Sequence, residues 1–348
     1  MAALTASFPW MVYVLFVIGL VLIIKGGDWF VDGASWVAEA TGIPKFIVGA
    51  TIVSLATTLP EIIVSTLAAV EGHGALIAGK VAESEGMVGM AIGNGIGSVI
   101  ANTAMIMAVS LIFIPAVIER KKFTPKALLL IASVLAVLGT TAFTGGLKPW
   151  GAVILIAIFV AFIVENVISA KKEMGDEKEE VDKDSKTVVT NLAKLIVGAV
   201  AIFLGSRLMV NNATIIAKSW GISEAIIGVT IVAIGTSLPE LVTAITAIVK
   251  KQASLSVGNI IGANVIDTVL ILPICSFVYG GTLGVSDINI FLDFPMAILV
   301  TLIAVVPTII AKKFHRWQGV AMLLIYIAYL VVTCAYTEPY LALFGVQA

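Results

Sequence analysis

Long apolar runs separated by short polar breaks fill most of the chain, and the runs have the length of bilayer spans. Ten spans are predicted, at roughly 9–37, 43–70, 86–115, 124–144, 149–170, 188–218, 222–249, 254–279, 287–311 and 316–337. The one extended polar interruption, KKEMGDEKEEVDKDSKT at 171–187, leaves five spans on each side of it. Five is an odd number, so the second half enters the membrane from the opposite face. The predicted fold is an all-α polytopic membrane protein with ten transmembrane helices in two inverted five-helix repeats. The first repeat is expected over 1–170 and the second over 188–348, with 171–187 as a charged linker.

A duplicated segment supports this division. Residues 42–61 read GIPKFIVGATIVSLATTLPE and residues 221–240 read GISEAIIGVTIVAIGTSLPE, identical at eleven of twenty positions. Near the N-terminus, GGDWFVDGA at 26–34 has a counterpart in GSRLMVNNA at 205–213. A segment with an internal repeat partner belongs to the fold. The first apolar run also lacks a positive n-region, so it is not expected to be cleaved as a signal peptide.

Composition agrees with a membrane protein. Of 348 residues 59% are hydrophobic and only 12% charged, about half the charge of a soluble domain, and the mean hydropathy is +1.09. Net charge is −1, which offers nucleic acid no basic surface. With the loops assigned alternately to two faces, one face collects sixteen Lys and Arg, among them Lys45, Arg120, Lys121, Lys122, Lys126, Lys250, Lys251, Lys312, Lys313 and Arg316. The other collects five: Lys25, Lys80, Lys148, Arg207 and Lys218. The positive-inside rule places the rich face, with the 171–187 loop, in the cytoplasm of a multi-pass cell-membrane protein, and both termini outside. Trp10, Trp150, Trp220 and Trp317 fall at span ends, where interfacial aromatics belong. The linker has no EF-hand spacing and reads as solvated. Cys275 and Cys334 read as small apolar packing residues, and His73 and His315 as solvated loop residues.

The chemistry concentrates where the duplicated segments end, in Thr-x-Leu-Pro-Glu. Pro60 and Pro239 have no N–H and push away the carbonyls of Ala56 and Gly235, which also loosens those of Thr57 and Thr236. Bare carbonyls at membrane depth are tolerated only inside protein or beside a wet cavity. Glu61 and Glu240 follow each proline directly, and an ionised carboxylate there costs several kcal/mol unless it is paired or liganded. Neither has a basic neighbour in its own helix. Thr57 with Glu61, and Thr236 with Glu240, share a helix face at i, i+4. Carboxylate, hydroxyl and carbonyl oxygens together suit Ca²⁺ or Na⁺ rather than zinc or copper.

A second pair of motifs lies on the next span of each half: GNGIGSVIAN at 93–102 and GNIIGANVID at 258–267. Asn94, Ser98 and Asn102 form a polar stripe whose counterparts are Asn259, Ala263 and Asp267. The glycines Gly93, Gly95, Gly97, Gly258 and Gly262 permit close helix approach. Asp267 adds a further acid without a basic partner.

These doubled motifs resemble the alpha repeats of the cation/calcium exchanger superfamily, at motif level over about half the chain. The resemblance implies a central calcium site flanked by sodium sites. By motif match, Glu61 and Glu240 with the carbonyls of Thr57 and Thr236 would take Ca²⁺. Ser54, Thr58, Ser98, Asn102, Ser237, Asp267 and the Ala233 carbonyl would surround Na⁺ or a coordinating water, with Asn94 and Asn259 behind them. The chain departs from the pattern at Ser54, Thr58, Ala263 and Val99, which implies that one sodium site in the second half lacks an oxygen. Repeat one also carries an insertion: Glu61 to Asn94 spans 33 residues against 19 from Glu240 to Asn259. The added stretch at 71–86 reads as an outer loop bearing Glu71, Glu83 and Glu85.

The expected function is Ca²⁺/Na⁺ antiport by alternating access, with the long helices at 9–37 and 188–218 sliding against the remaining bundle. Proton-coupled relatives typically place acids where this chain has Gly97 and Gly262, so the resemblance favours sodium. A Ca²⁺/H⁺ antiporter or a K⁺-dependent exchanger remains the alternative. A channel would give uncoupled flux. No HExxH, nucleophile–base pair or nucleotide loop marks an enzyme, and no cofactor is expected. Both halves of the site lie on one chain, so a monomer is expected to suffice.

Overall fold

A computed structural model describes residues 10–113, 120–173, 184–220 and 233–344. The described helices are α1 (Met11–Thr41), α2 (Lys45–Thr57), α3 (Leu59–Ile77), α4 (Val81–Phe113), α5 (Arg120–Thr141), α6 (Pro149–Glu173), α7 (Ser185–Ser219), α8 (Ala233–Thr236), α9 (Leu238–Val249), α10 (Ala253–Tyr279), α11 (Asn289–Ala311), α12 (Arg316–Ala335) and α13 (Thr337–Ala342). Eight of the described helices are long and apolar enough to span a bilayer, and α2 with α3, bent by 46°, makes a ninth candidate. The helix α9 is shorter, with 12 residues. The first half of the expected seventh span, 221–232, lies outside the described residues, as does most of the 171–187 linker.

Burial sorts the helices. The Gly-Asn helices α4 and α10 are buried along most of their lengths and form the centre, while α1, α7 and α12 keep most of their surface outward. That outward surface is apolar, with Val17, Ile24, Ile196 and Leu324 all exposed, as a lipid-facing helix requires. Trp10, Trp150, Trp220 and Trp317 are exposed at helix ends. A two-residue ribbon, β1 (Gly146–Leu147) with β2 (Leu283–Gly284), ties the α5–α6 connection to the α10–α11 connection.

The two long outer helices pack antiparallel through a seam of small residues. A Cβ on Gly19 would lie 2.8 Å from Gly205 O, one on Gly26 2.9 Å from Gly198 O, and one on Gly33 2.7 Å from Leu195 N. Any side chain at these positions would force the backbones apart.

Several expectations are corrected. Residues 71–86 are not a loop: α3 continues to Ile77 and α4 begins at Val81. His73 therefore lies within α3, half-buried, with Nδ1 2.7 Å from Tyr279 O. His315 caps α12, and its backbone N–H donates to Gln318 Oε1 at 2.8 Å. Lys126 is no loop charge but a fully buried residue of α5, ion-paired to Glu165 at 2.7 Å. Burial demands that pairing. Cys275 is buried and Cys334 exposed, and both are free thiols, so packing describes only the first. Gly258 and Gly262 do meet α2 closely, at Phe46 and Ala50, and Gly95 meets Leu272 and Asp267. Among the described residues nothing lies within 4 Å of a Cβ placed on Gly93 or Gly97.

Candidate functional site

The Thr-x-Leu-Pro-Glu segments do not kink a continuous helix. They stop one helix and start another. The α2 helix ends at Thr57, Thr58 takes φ −83° and ψ −2°, and α3 restarts with Pro60 in its first turn. There the missing proline N–H costs nothing. The second half repeats this: Ser237 (φ −87°, ψ 10°) separates α8 from α9, with Pro239 in the first turn of α9. Across the first break the backbone bonds are Thr58 N to Ser54 O and Ile62 N to Thr58 O. Neither ties down the carbonyl of Ala56 or Thr57, the two carbonyls expected to be freed.

The breaks bring the acids inward. Glu61 and Glu240 each retain 1% of their exposure and Asp267 none. Among the described residues no Lys or Arg pairs with any of the three. Three carboxylates thus lie in a dry interior with no counter-charge among the described residues, an arrangement that needs cations or protons.

Their oxygens are under-used. Both carboxylate oxygens of Glu61, Oε2 of Glu240, Oδ1 of Asp267, Oδ1 of Asn102 and Oγ of Ser237 are buried with no hydrogen-bond partner among the described residues. A folded interior rarely leaves so many acceptors orphaned in one place. The existing bonds cross between halves: Thr58 Oγ1 donates to Glu240 Oε1 at 3.3 Å, Asn102 Nδ2 to Asp267 Oδ2 at 3.3 Å, and Thr57 Oγ1 approaches Asn259 Oδ1 at 3.2 Å.

The remaining expected residues fall in and around this cluster. Ser54 is fully buried, and its carbonyl accepts from Thr57 Oγ1 and Thr58 Oγ1. Ser98 is buried on α4. Thr236 is half-buried at the end of α8, and Ala233 is the first described residue of that helix. Asn94 holds the break from behind, donating to Glu61 O at 3.3 Å and Ser65 Oγ at 2.8 Å. Asn259 donates to Thr243 Oγ1 at 3.0 Å. Ser65 and Thr243 are the supports that motif reading passes over. Their spacing of four and three residues from Glu61 and Glu240, on the same helix faces, is the available signal.

The backbone adds a feature no pattern predicts. The helices α4 and α10 change to π-helical turns at Asn102–Met107 and Asp267–Ile271, each starting on a candidate site residue, and α2 does so at Gly49–Val53. Such turns cluster at functional sites because they re-aim side chains and free backbone acceptors. Among the described residues no cluster of three or more His, Cys, Asp or Glu side chains is arranged to hold a metal ion. The donor set is therefore two mirrored glutamates with hydroxyl, amide and carbonyl oxygens, as suits hard cations.

A family model described as sodium/calcium exchanger protein matches residues 11–167 and 190–335, most of the chain. The chain belongs to the sodium/calcium exchanger family. Its members carry out cation/calcium exchange antiport. This exchanger is 32% identical to an uncharacterized membrane protein, MJ0091, of Methanocaldococcus jannaschii, over 90% of this chain and 94% of that one. It is 27% identical to the sodium/calcium exchanger MaX1 of Methanosarcina acetivorans, over 92% and 97%. Among solved structures it matches the sodium-calcium exchanger NCX_Mj soaked with Na⁺ and Sr²⁺, with TM-score 0.75 and 27% identity, over 92% of this chain and 98% of that one.

Proposed function

We propose that this exchanger moves Ca²⁺ against Na⁺ by alternating access, through ten spans arranged as two inverted repeats. The observation that carries the reading is the set of orphaned oxygens on two mirrored glutamates, Glu61 and Glu240. Bound Ca²⁺ takes these carboxylates with the carbonyls of Thr57 and Thr236. Na⁺ uses the surrounding oxygens of Ser54, Thr58, Ser98, Asn102, Ser237, Asp267 and the Ala233 carbonyl. The two occupancies compete for shared oxygens and for the same negative charge, and that competition enforces exchange. Where more than two Na⁺ replace one Ca²⁺, the cycle moves net charge and responds to membrane potential.

Sodium rather than proton coupling is supported at Gly97 and Gly262. Neither carries an acid, and position 262 has no room for one, since even a Cβ there would lie 2.5 Å from Ala50 O and from Ser54 Oγ. Calcium uptake into vesicles under imposed gradients tests the reading. An outward Na⁺ gradient alone is expected to drive uptake. Uptake driven by a pH gradient alone, or strictly requiring K⁺, would replace the sodium assignment with the corresponding alternative.

A further inference from the structure

The register that aligns the two glutamate motifs, an offset of 179, runs without a gap from Gly26 to Glu71. It matches Asp28 with Arg207, Asp32 with Asn211, and Glu71 with Lys250. In the structure Lys250, just past the end of α9, reaches across to α1. Its Nζ lies 2.7 Å from Asp32 Oδ1, 2.9 Å from Asp28 O and 3.5 Å from Asp28 Oδ1. Exchange the halves, and this contact maps onto Arg207 of α7 and Glu71 of α3, with both charges reversed. Those two side chains are exposed and form no ion pair among the described residues. The Arg207 guanidinium instead lies over the Phe203 ring, 4.9 Å from its centroid.

We propose that Lys250–Asp28/Asp32 and Arg207–Glu71 are two alternative ionic latches between the α1–α7 pair and the rest of the bundle, at opposite membrane faces. One is closed in the state described here, and the other closes in the mirror state. The proposal rests on the alternating-access reading above. In an inverted repeat the two end states are related by exchanging the halves, so a contact made by one half in one state has its counterpart in the other state. Both members of the counterpart must then be complementary in charge, and they are. The glycine seam couples the outer helices, so a hold on α1 at one face and a hold on α7 at the other act on one body. Lys250, Asp28 and Asp32 are each partly exposed, with side-chain exposures of 25%, 43% and 45%. An ion pair in such a place is weak enough to open in every cycle, yet a charge on a membrane helix still gains from a partner.

The test uses the full chain with Cys275 and Cys334 replaced by Ser, reconstituted in vesicles. Cysteine pairs are introduced as Asp32→Cys with Lys250→Cys, and as Glu71→Cys with Arg207→Cys, and joined by a short reducible thiol crosslinker. Each crosslink is expected to stop exchange, and reduction to restore it. Ionic conditions that raise the yield of one crosslink are expected to lower that of the other. Yields that rise and fall together would overturn the proposal, as would failure of the 71–207 pair to crosslink in a chain that exchanges normally. In the native background, Arg207→Glu and Glu71→Arg are expected each to slow exchange and together to restore it. Calcium binding by the uncrosslinked, detergent-solubilised chain, read by calorimetry, separates the two ideas. Its loss refutes the calcium site, whereas the reciprocity of crosslinking reports on the latches whichever cation is carried.

Discussion

Each acid in the centre has a distinct set of neighbours, and so a distinct expected phenotype. Among the described residues Glu61 has no hydrogen-bond partner on either carboxylate oxygen, so Glu61→Gln removes charge without breaking any bond seen there. Calcium uptake into vesicles is expected to vanish in Glu61→Gln and in Glu240→Gln, with normal expression and normal gel-filtration behaviour. Near-normal uptake in either variant would remove the assignment. Thr58 is subtler. Its hydroxyl orients Glu240 through a 3.3 Å bond from the opposite half, a long and therefore weak link. Thr58→Val is expected to weaken calcium binding by about 1 kcal/mol, or about fivefold, as measured by calorimetry. Among the described residues Asp267 accepts a side-chain hydrogen bond from Asn102 alone, and Asp267→Asn is expected to change the Na⁺ dependence of exchange while calcium binding persists.

The helix elements translate small residues into geometry. A methyl at 262 would run into Ala50 O and Ser54 Oγ. Gly262→Ala is expected to destabilise the protein by about 1–3 kcal/mol through overpacking. Thermal unfolding in detergent measures the loss, and a melting temperature equal to that of the native chain would contradict the packing. The broken helices explain the duplicated proline equally well. Its place is the first turn of a new helix, and the break leaves backbone oxygens beside a carboxylate.

For the whole molecule, the consequence is handedness across the membrane. The charge bias puts Lys80 on the outer face and Lys172 on the inner one. In a chain with Cys275 and Cys334 replaced by Ser, Lys80→Cys is expected to react with an impermeant thiol reagent applied outside intact cells, and Lys172→Cys only after lysis. The reverse pattern would invert the assigned orientation. One paired charge in that count, Lys126, proves to be buried against Glu165. Removing it from the tally leaves fifteen against five, and the bias stands.

What could be read from the chain alone was whatever repeats or alternates along it. Span lengths, the doubled motif and the acids follow from local composition, because a bilayer imposes one length and one polarity on every segment that crosses it. Thr57, Glu61 and Ser65 share a face by spacing alone. The chain does not reveal that Thr58 serves the other half's glutamate, that Lys126 is buried against Glu165, that His73 lies inside a helix, or that helical turns widen at Asn102 and Asp267. Those depend on which helix faces meet, and for Thr58, His73 and Asn102 on contacts between residues 165 to 206 positions apart. Local pattern sets what each segment is; only the packing of the two halves against each other decides which oxygens remain without a donor, and there the cation chemistry resides.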